Sequence, residues 1–315
     1  MKNIYSNIFP FNKKTLNKSV ETLKKGNVVG LPTETVYGLA GNAYSRIAVQ
    51  KIYSLKKRPK KNPLIVHYLE YKHAKNDVIF NKNFYKLYKK FCPGPITFIL
   101  KKKNKSKIQS SVTAKLNTVA IRFPSHRTTR SVLKKLNFPL AMPSANLSSG
   151  VSPINAQDVT DEFKKKIKII INSGNSKIGI ESTVISLVGK PKILRPGIIV
   201  AKTIKKFFKI NIIKKSSRIS SPGMLKKHYS PGIPILLNQK KADKNCAFIT
   251  LGKNYKYNRN YFNLSKKSDL KEAASNLYKT LRKIKKQGFK KIHVVKIPNV
   301  GVGIAINDRL KRAAN

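Results

Sequence analysis

Four polar loops in the sequence carry residue types suited to holding an anionic ligand. SLKKRPKKNPLIVH (54–67) sets Lys56, Arg58 and Asn62 around Pro59 and Pro63, ahead of an apolar run that contains His67. Arginine binds phosphate as a fork and lysine binds it as a point charge, so a stiff loop of this kind suits triphosphate oxygens. On these residues alone a solvated basic loop is equally open. GLPTETVYGLAGNA (30–43) places Thr33, Glu34 and Thr35 where a strand should end, with Gly38 and Gly41 allowing a sharp turn or a close approach to a ligand. AMPSANLSSGVSP (141–153) offers Ser144, Asn146 and Ser152 as small donors and acceptors, and Pro143 restricts Met142 to an extended backbone. GIESTVISL (179–187) brings Glu181, Ser182 and Thr183 to the start of another strand.

Arg122 in TVAIRFP and Arg195 in ILRPG are arginines among apolar residues, and a buried cation needs a partner. That partner is a ligand carboxylate or phosphate, a backbone carbonyl, or one of the few acids of the chain. No GxxxxGK[ST], HExxH or GxSxG occurs. GVGIAI (301–306) reads as a structural turn. His67, next to Tyr68, reads as a core histidine more readily than as a base.

The elements that must hold these loops alternate. Strand candidates are 28–32, 63–69, 96–102, 118–124, 139–143, 166–172, 182–188 and 192–196, with helices over 43–57 and 130–136 between them. This pattern predicts an α/β domain with a mixed sheet. A Lys-rich helix candidate begins near residue 200, and KKSSRISSPGMLKKHYSPG then reads as a linker. Strands at 235–237, 246–252 and 290–298, an amphipathic helix over 269–286 and a last helix at the tail predict a smaller α/β domain.

The chain has 315 residues, enough for two domains, and is 40% hydrophobic, which excludes disorder as the default. Lys plus Arg number 67 against 12 acids, a net charge of +55. That balance favours nucleic acid as a partner, while the abundance of Lys, Asn and Ile also fits an AT-rich coding sequence. Cys92 and Cys246 are isolated from each other, with no CxxC or zinc spacing. No signal-length or membrane-spanning apolar stretch occurs, so a soluble cytoplasmic protein is expected.

Taken in order, GLPTETVYGLAGNA, KKRPKKNPLIVH, CPGPITFIL, VAIRFPSH, PSANLSSGVSP, IESTVISL and ILRPG resemble the threonylcarbamoyl-AMP synthase family, of YrdC-type fold. SPGMLKKHYSP and GVGIAINDRLKRAA resemble its longer, two-domain form, so the similarity covers nearly the whole chain. The resemblance implies a twisted mixed-sheet catalytic domain over 1–200, a linker or lid over 201–231, and a small Rossmann-like α/β domain over 232–315. It implies the condensation of L-threonine, bicarbonate and ATP to threonylcarbamoyl-AMP and pyrophosphate. A transferase complex would then move the threonylcarbamoyl group to tRNAs reading ANN codons.

Carried over residue by residue, the resemblance assigns ATP to Lys56, Arg58, Asn62, Thr118, Ser144, Asn146, Ser152, Arg195 and Tyr229. Lys56 and Arg58 would stabilise the charge that develops in the reaction. It assigns threonine to Thr35, His67, Arg122, Met142 and Ser182, with Arg122 forked onto the carboxylate. Mg2+ is expected to arrive with ATP, held by phosphates and water, with no metal site of the protein's own. Leu225 departs from the family, which more often has a basic residue there. Two other readings compete. One is a non-catalytic RNA-binding module on the same fold, supported by the charge. The other is a carbamoyl transferase of hydrogenase maturation, opposed by the lack of Cys-rich zinc modules.

Overall fold

The computed structural model describes residues 5–208, 211–212, 228–243, 245–255 and 258–315. Leu225 and most of the expected linker lie outside these residues.

Twelve strands form one sheet. They are β1 (Ile8–Pro10), β2 (Val29–Leu31), β3 (Gly38–Asn42), β4 (Ile65–His67), β5 (Val78–Ile79), β6 (Ile96–Lys102), β7 (Thr118–Arg122), β8 (Leu140–Ala141), β9 (Ile170–Asn172), β10 (Thr183–Ser186), β11 (Lys192–Arg195) and β12 (Asn211–Ile212). Their order is β1-β9-β2-β3-β8-β4-β7-β6-β10-β11-β12, with β5 paired to β6. The sheet is mixed. β4 runs parallel to β7, and β10 to β6, whereas β2–β3, β3–β8, β4–β8 and β6–β7 are antiparallel. Helices α1 (Lys13–Lys24), α2 (Arg46–Lys56), α3 (Lys82–Phe91), α4 (Arg127–Lys134), α5 (Ala156–Phe163) and α6 (Ala201–Lys205) accompany it.

Short polar side chains start these lysine-rich helices. Asn12, Ser45, Asn81 and Asn155 each accept a hydrogen bond from a first-turn N–H, which satisfies donors a helix leaves orphaned. The GLAGN segment, expected as part of a loop, is a strand. Its glycines are required by packing rather than turning: a Cβ on Gly41 would sit 3.1 Å from Ile52 Cδ1 of α2. The final glycine pair, expected as a turn, leads directly into a helix that begins at Gly303.

The second sheet is smaller and all parallel, in the order β13 (Ile235–Leu236), β16 (Ile292–Val294), β14 (Ala247–Thr250), β15 (Tyr261–Asn263). Helices α7 (Leu270–Lys286) and α8 (Gly303–Ala314) pack against it. Along α7, Ala273, Ala274, Leu277, Leu281 and Ile284 are buried at helical spacing and the lysines face outward. This second core also takes in Val36, Val151, Ile154 and Ile180 from the loops of the first sheet.

A buried polar cluster reinforces that seam. Tyr278 of α7 donates to Glu181 Oε2 (2.8 Å), Arg309 Nε of α8 pairs with the same oxygen (3.0 Å), and Ser152 donates to Oε1 (2.6 Å). Arg309 also donates to the Pro196 carbonyl (2.8 Å). Gly179, at φ +74, lies so close to α7 that a Cβ would be 2.6 Å from Ser275 Cα. Arg282 ties α7 to Glu162 of α5 (3.0 Å).

Arg309→Ala leaves the buried Glu181 carboxylate short of its cation. It should lower the unfolding free energy by about 3–5 kcal/mol in urea denaturation. Lys72→Ala, which removes an exposed partner of Glu70, should cost less than about 1 kcal/mol.

Candidate active site

β4 and β7 run parallel in a register that sets His67 beside Arg122, so both side chains stand at the carboxyl ends of their strands. Ligands of α/β sheets usually bind there. A cavity opens at this edge. Thr35, Arg58, His67, Arg122, Met142, Ser144, Arg195 and Tyr229 line it, as do Thr33, Glu181 and His228.

Two of the predicted ligand loops form one wall. The Leu39 N–H donates to the Pro143 carbonyl, the Ala145 N–H to Tyr37 and the Tyr37 N–H to Pro153. Gly38 is needed at this crossing, because a Cβ there would meet Met142 Sδ at 2.8 Å. Lys56 closes the wall from α2. Its Nζ donates to the carbonyls of Ser144 (2.6 Å) and Asn146, and its own carbonyl accepts from the Ser148 N–H (2.8 Å). Lys56 stands at the end of the helix expected over 43–57, and it is fully buried there. Burial and the nearby Arg58 charge push its pKa well down, against a weaker pull from Glu162. Two N–H donors satisfy both carbonyls whether or not the amine is charged.

Arg58 donates to the carbonyls of Asn62 (2.9 Å) and Pro63 (2.7 Å), and burial brings its pKa down to about 10. Arg195 grips the Ser182 carbonyl and hydroxyl, both at 3.1 Å, and Ser182 Oγ lies 2.7 Å from Thr97 Oγ1. Arg122 gives Nη1 to Thr35 (2.9 Å) and Nη2 to Glu34 (2.7 Å). The fork expected to await a ligand carboxylate is thus engaged by Glu34, and Nε is a buried donor with no partner among the described residues. The buried Asn62 side-chain amide, Asn146 Oδ1 and Tyr229 Oη also lack a partner among the described residues. Such groups are costly unless something else bonds them. Thr118 is outside the cavity lining, at the opposite end of β7 from Arg122. By the β4–β7 register it stands toward the Pro63 end of β4, where Arg58 is held.

Residues 228–230 cover the cavity from the other side. Ser230 bridges Gly150, its N–H donating to the Ser149 carbonyl (2.8 Å). Tyr229 is buried at φ +63, a left-handed conformation that non-glycine residues rarely adopt and that gathers at functional sites. Its ring stacks on Tyr278 (5.8 Å) and lies 5.2 Å from the Arg309 guanidinium.

Sequence reasoning took Glu181 as a generic polar loop residue and missed its anchoring role, and it missed Tyr278, His228 and Arg309 altogether. Arg309 carried a usable signal. It falls with Ile306, Leu310 and Ala313 on one helical stripe, all buried.

The site is poor in negative charge. Burial pushes the Glu181 carboxyl up, but Arg309, Arg195 and the Ser152 hydrogen bond outweigh it and hold it at about 2. Burial, and then the charges of Arg58, Lys56 and Arg195 against the pull of Glu181, bring His228 to about 3. Burial and Arg122 push His67 well below its ordinary range. Both histidines are therefore neutral near pH 7. The unfolded chain takes up a proton near pH 6.5 that folded His228 refuses until about 3. Its contribution to stability is thus complete above pH 6.5 and is lost as the pH falls between these values, by about 1 kcal/mol per pH unit. Thermal melting of the His228→Asn variant should fall less steeply between pH 6.5 and 4 than that of the parent.

Residues 21–197 match the Sua5–YciO–YrdC family, described as telomere recombination, and residues 198–315 match the threonylcarbamoyl-AMP synthase C-terminal domain. The threonylcarbamoyl-AMP synthase of Pyrococcus abyssi is 33% identical over 93% of this chain and 92% of its own. That of Bacillus subtilis is 34% identical over 96% and 94%. Among solved structures, P. abyssi Sua5 complexed with L-threonine superposes with a TM-score of 0.89 at 30% identity, covering 98% of this chain and 96% of that one. HypF in a phosphate- and nucleotide-bound form reaches 0.51 at 23% identity over 57% of this chain, a likeness of fold alone. The chain belongs to the Sua5/YrdC family of threonylcarbamoyl-AMP synthases, in its two-domain form.

Proposed function

We infer that this chain is an L-threonylcarbamoyladenylate synthase, which condenses L-threonine, bicarbonate and ATP to threonylcarbamoyl-AMP and pyrophosphate. The observation that carries the reading is one cavity with two chemically different ends. Arg58 and Ser144 line one part of it, with Lys56 buried behind them on the Ser144 and Asn146 carbonyls, and Thr35, His67 and Arg122 line another. The first end suits ATP and takes Asn62, Ser152, Arg195 and Tyr229 with it. Thr118 belongs to it only if the nucleotide extends along β7 toward Pro63. The second end suits threonine, with Met142 and Ser182 beside it.

The threonine amine must be neutral to attack bicarbonate. A cavity lined by Arg58, Arg122 and Arg195 disfavours an ammonium there, as burial and these charges together disfavour protonated His67 and His228. The attack forms the C–N bond and expels hydroxide, which leaves as water with an amine proton; the resulting carbamate oxygen attacks the α-phosphorus and pyrophosphate leaves. Such a transfer needs positioning and charge stabilisation more than a strong base. Arg58 and Arg195 supply fixed positive charge. Arriving phosphates favour the charged form of Lys56, because their charge opposes the burial that lowers its pKa.

Mg2+ would accompany ATP. Of the carboxylates at the cavity, Glu34 is bound by Arg122 and Glu181 by Arg309. The residues therefore suit a metal held by phosphates and water better than one caged by the protein. The catalytic domain (1–200, with α6 and β12 on its sheet) and the small domain (232–315) meet at residues 228–231, where Tyr229 reaches the nucleotide and excludes water from the labile adenylate. No described helix is long and apolar enough to cross a membrane, and we place the protein in the cytoplasm. The product passes to a threonylcarbamoyl transferase complex, and the basic surface favours tRNA nearby. A non-catalytic RNA-binding module would leave the buried donors around the cavity without a use.

Pyrophosphate release from ATP and magnesium, with threonine and bicarbonate added singly and together, tests the reading. Release that requires both, and falls at least tenfold in Lys56→Ala, is expected. No release alongside tight, salt-sensitive tRNA binding would overturn it. Arg122→Lys should raise the KM for threonine about 10–100-fold, with little change for ATP, because it forfeits a charge-assisted contact.

A further inference from the structure

A second chemical cluster lies in the small domain, away from the cavity. Asp243, Cys246 and His293 each turn one potential ligand atom toward the others, and these atoms all lie within 4.8 Å of one another. Cys246 and His293 are buried, and Asp243 is exposed. Two of the three come from one tight turn, in which the Cys246 N–H donates to the Asp243 carbonyl (3.2 Å). The third projects from β16, whose His293 pairs with Phe248 just beyond Cys246. Two ligands separated by two residues across a turn, plus one from a neighbouring strand, is a common way to build a metal site.

The histidine supplies an independent sign. Its Nδ1 faces the Lys241 carbonyl at 3.3 Å, a partner that only an N–H satisfies. In the neutral ring the proton therefore sits on Nδ1 and the lone pair on Nε2. Nε2 is buried, makes no hydrogen bond among the described residues, and lies 3.3 Å from Asp243 Oδ2. A cation bound between them would give both atoms a partner. A histidine whose second nitrogen donates to a backbone carbonyl is the usual form of a metal ligand.

We propose that Asp243, Cys246 and His293 bind a zinc-class divalent cation, with solvent as the fourth ligand. Nitrogen, sulfur and oxygen donors together suit zinc, and the cavity lined by Asn245, Asn258 and Tyr261 gives water access. Tetrahedral bonds of about 2.0–2.3 Å set ligand atoms about 3.4–3.7 Å apart, so the side chains need only a small contraction. Binding releases the Cys246 thiol proton to solvent and leaves a metal thiolate. The ion staples the turn before β14 to β16. Two cations border the cluster. Lys291 Nζ lies 3.1 Å from Asp243 Oδ2, and the exposed Arg259 lines the cavity. Lys291 is half exposed on a flexible stem and must swing out, so it weakens the site.

Cobalt(II) titration of the metal-free full-length protein tests the proposal. One ion per chain is expected, with a thiolate-to-cobalt charge-transfer band and the visible bands of a tetrahedral centre. Cys246→Ser and His293→Gln should each abolish the charge-transfer band or weaken binding at least tenfold, although Cys92 remains in both. Lys291→Met should tighten binding by roughly tenfold, a gain that misfolding cannot mimic. Zinc should raise the melting temperature of the parent and not that of Cys246→Ser. Absence of one-to-one binding, a thiolate band that persists in Cys246→Ser, or no gain from Lys291→Met would overturn the proposal. The cluster would then be a buried histidine–aspartate contact alone.

Discussion

Glu181 is a buried acid in a chain with few acids, and it holds the two halves of the molecule in one arrangement. One oxygen accepts from Ser152 in a cavity loop, and the other from Tyr278 and Arg309 in the helices of the small domain. Its chain neighbour Ser182 is gripped by Arg195. The carboxylate therefore fixes a cavity loop, a cavity arginine and the packing of α7 and α8 at once. Burial alone would push its proton back on, and the two arginines prevent that. Tyr229 rests on the same cluster, stacked on Tyr278 and next to Arg309. The small domain is thus a structural part of the proposed nucleotide end.

The second constraint is the surplus of positive charge. Most of it is solvated lysine, but Lys56, Arg58, Arg122 and Arg195 converge on the cavity and find chiefly carbonyls, hydroxyls and one another. Burying Lys56 and Arg58 without a paired acid is unfavourable, so the free protein bears a cost that a triphosphate would relieve. Burial, aided by the same field, keeps His67 and His228 neutral, and the field favours a free amine over an ammonium. Attraction for the substrates and activation of the nucleophile then share one electrostatic cause.

Much of this was legible in the sequence because it was local. Apolar runs marked β6, β7 and β10, and leucine spacing marked α7. The ligand loops stood out as small polar residues beside glycine and proline. The twelve-stranded order was not legible, since strand pairing depends on contacts between residues far apart in the chain. The lysine-rich α1 and α3 escaped for another reason. Lysine reads as a solvated surface in any conformation, and their asparagine caps carry the helix signal. Nor could the sequence reveal that Lys56 points inward, that Glu34 already occupies Arg122, or that Arg309 is a buried anchor. In a chain this rich in lysine and arginine, a functional cation looks like any other.

The account's central claim is that one cavity joins threonine, bicarbonate and ATP into a single nucleotide product. Mass spectrometry of the nucleotides formed with isotopically labelled bicarbonate tests it most directly. The account predicts an adenylate that carries both the threonine and the bicarbonate label, formed by the full-length protein and strongly reduced when Glu181 is replaced by Gln. Formation of ADP or AMP alone, or of an adenylate without the bicarbonate label, would contradict it.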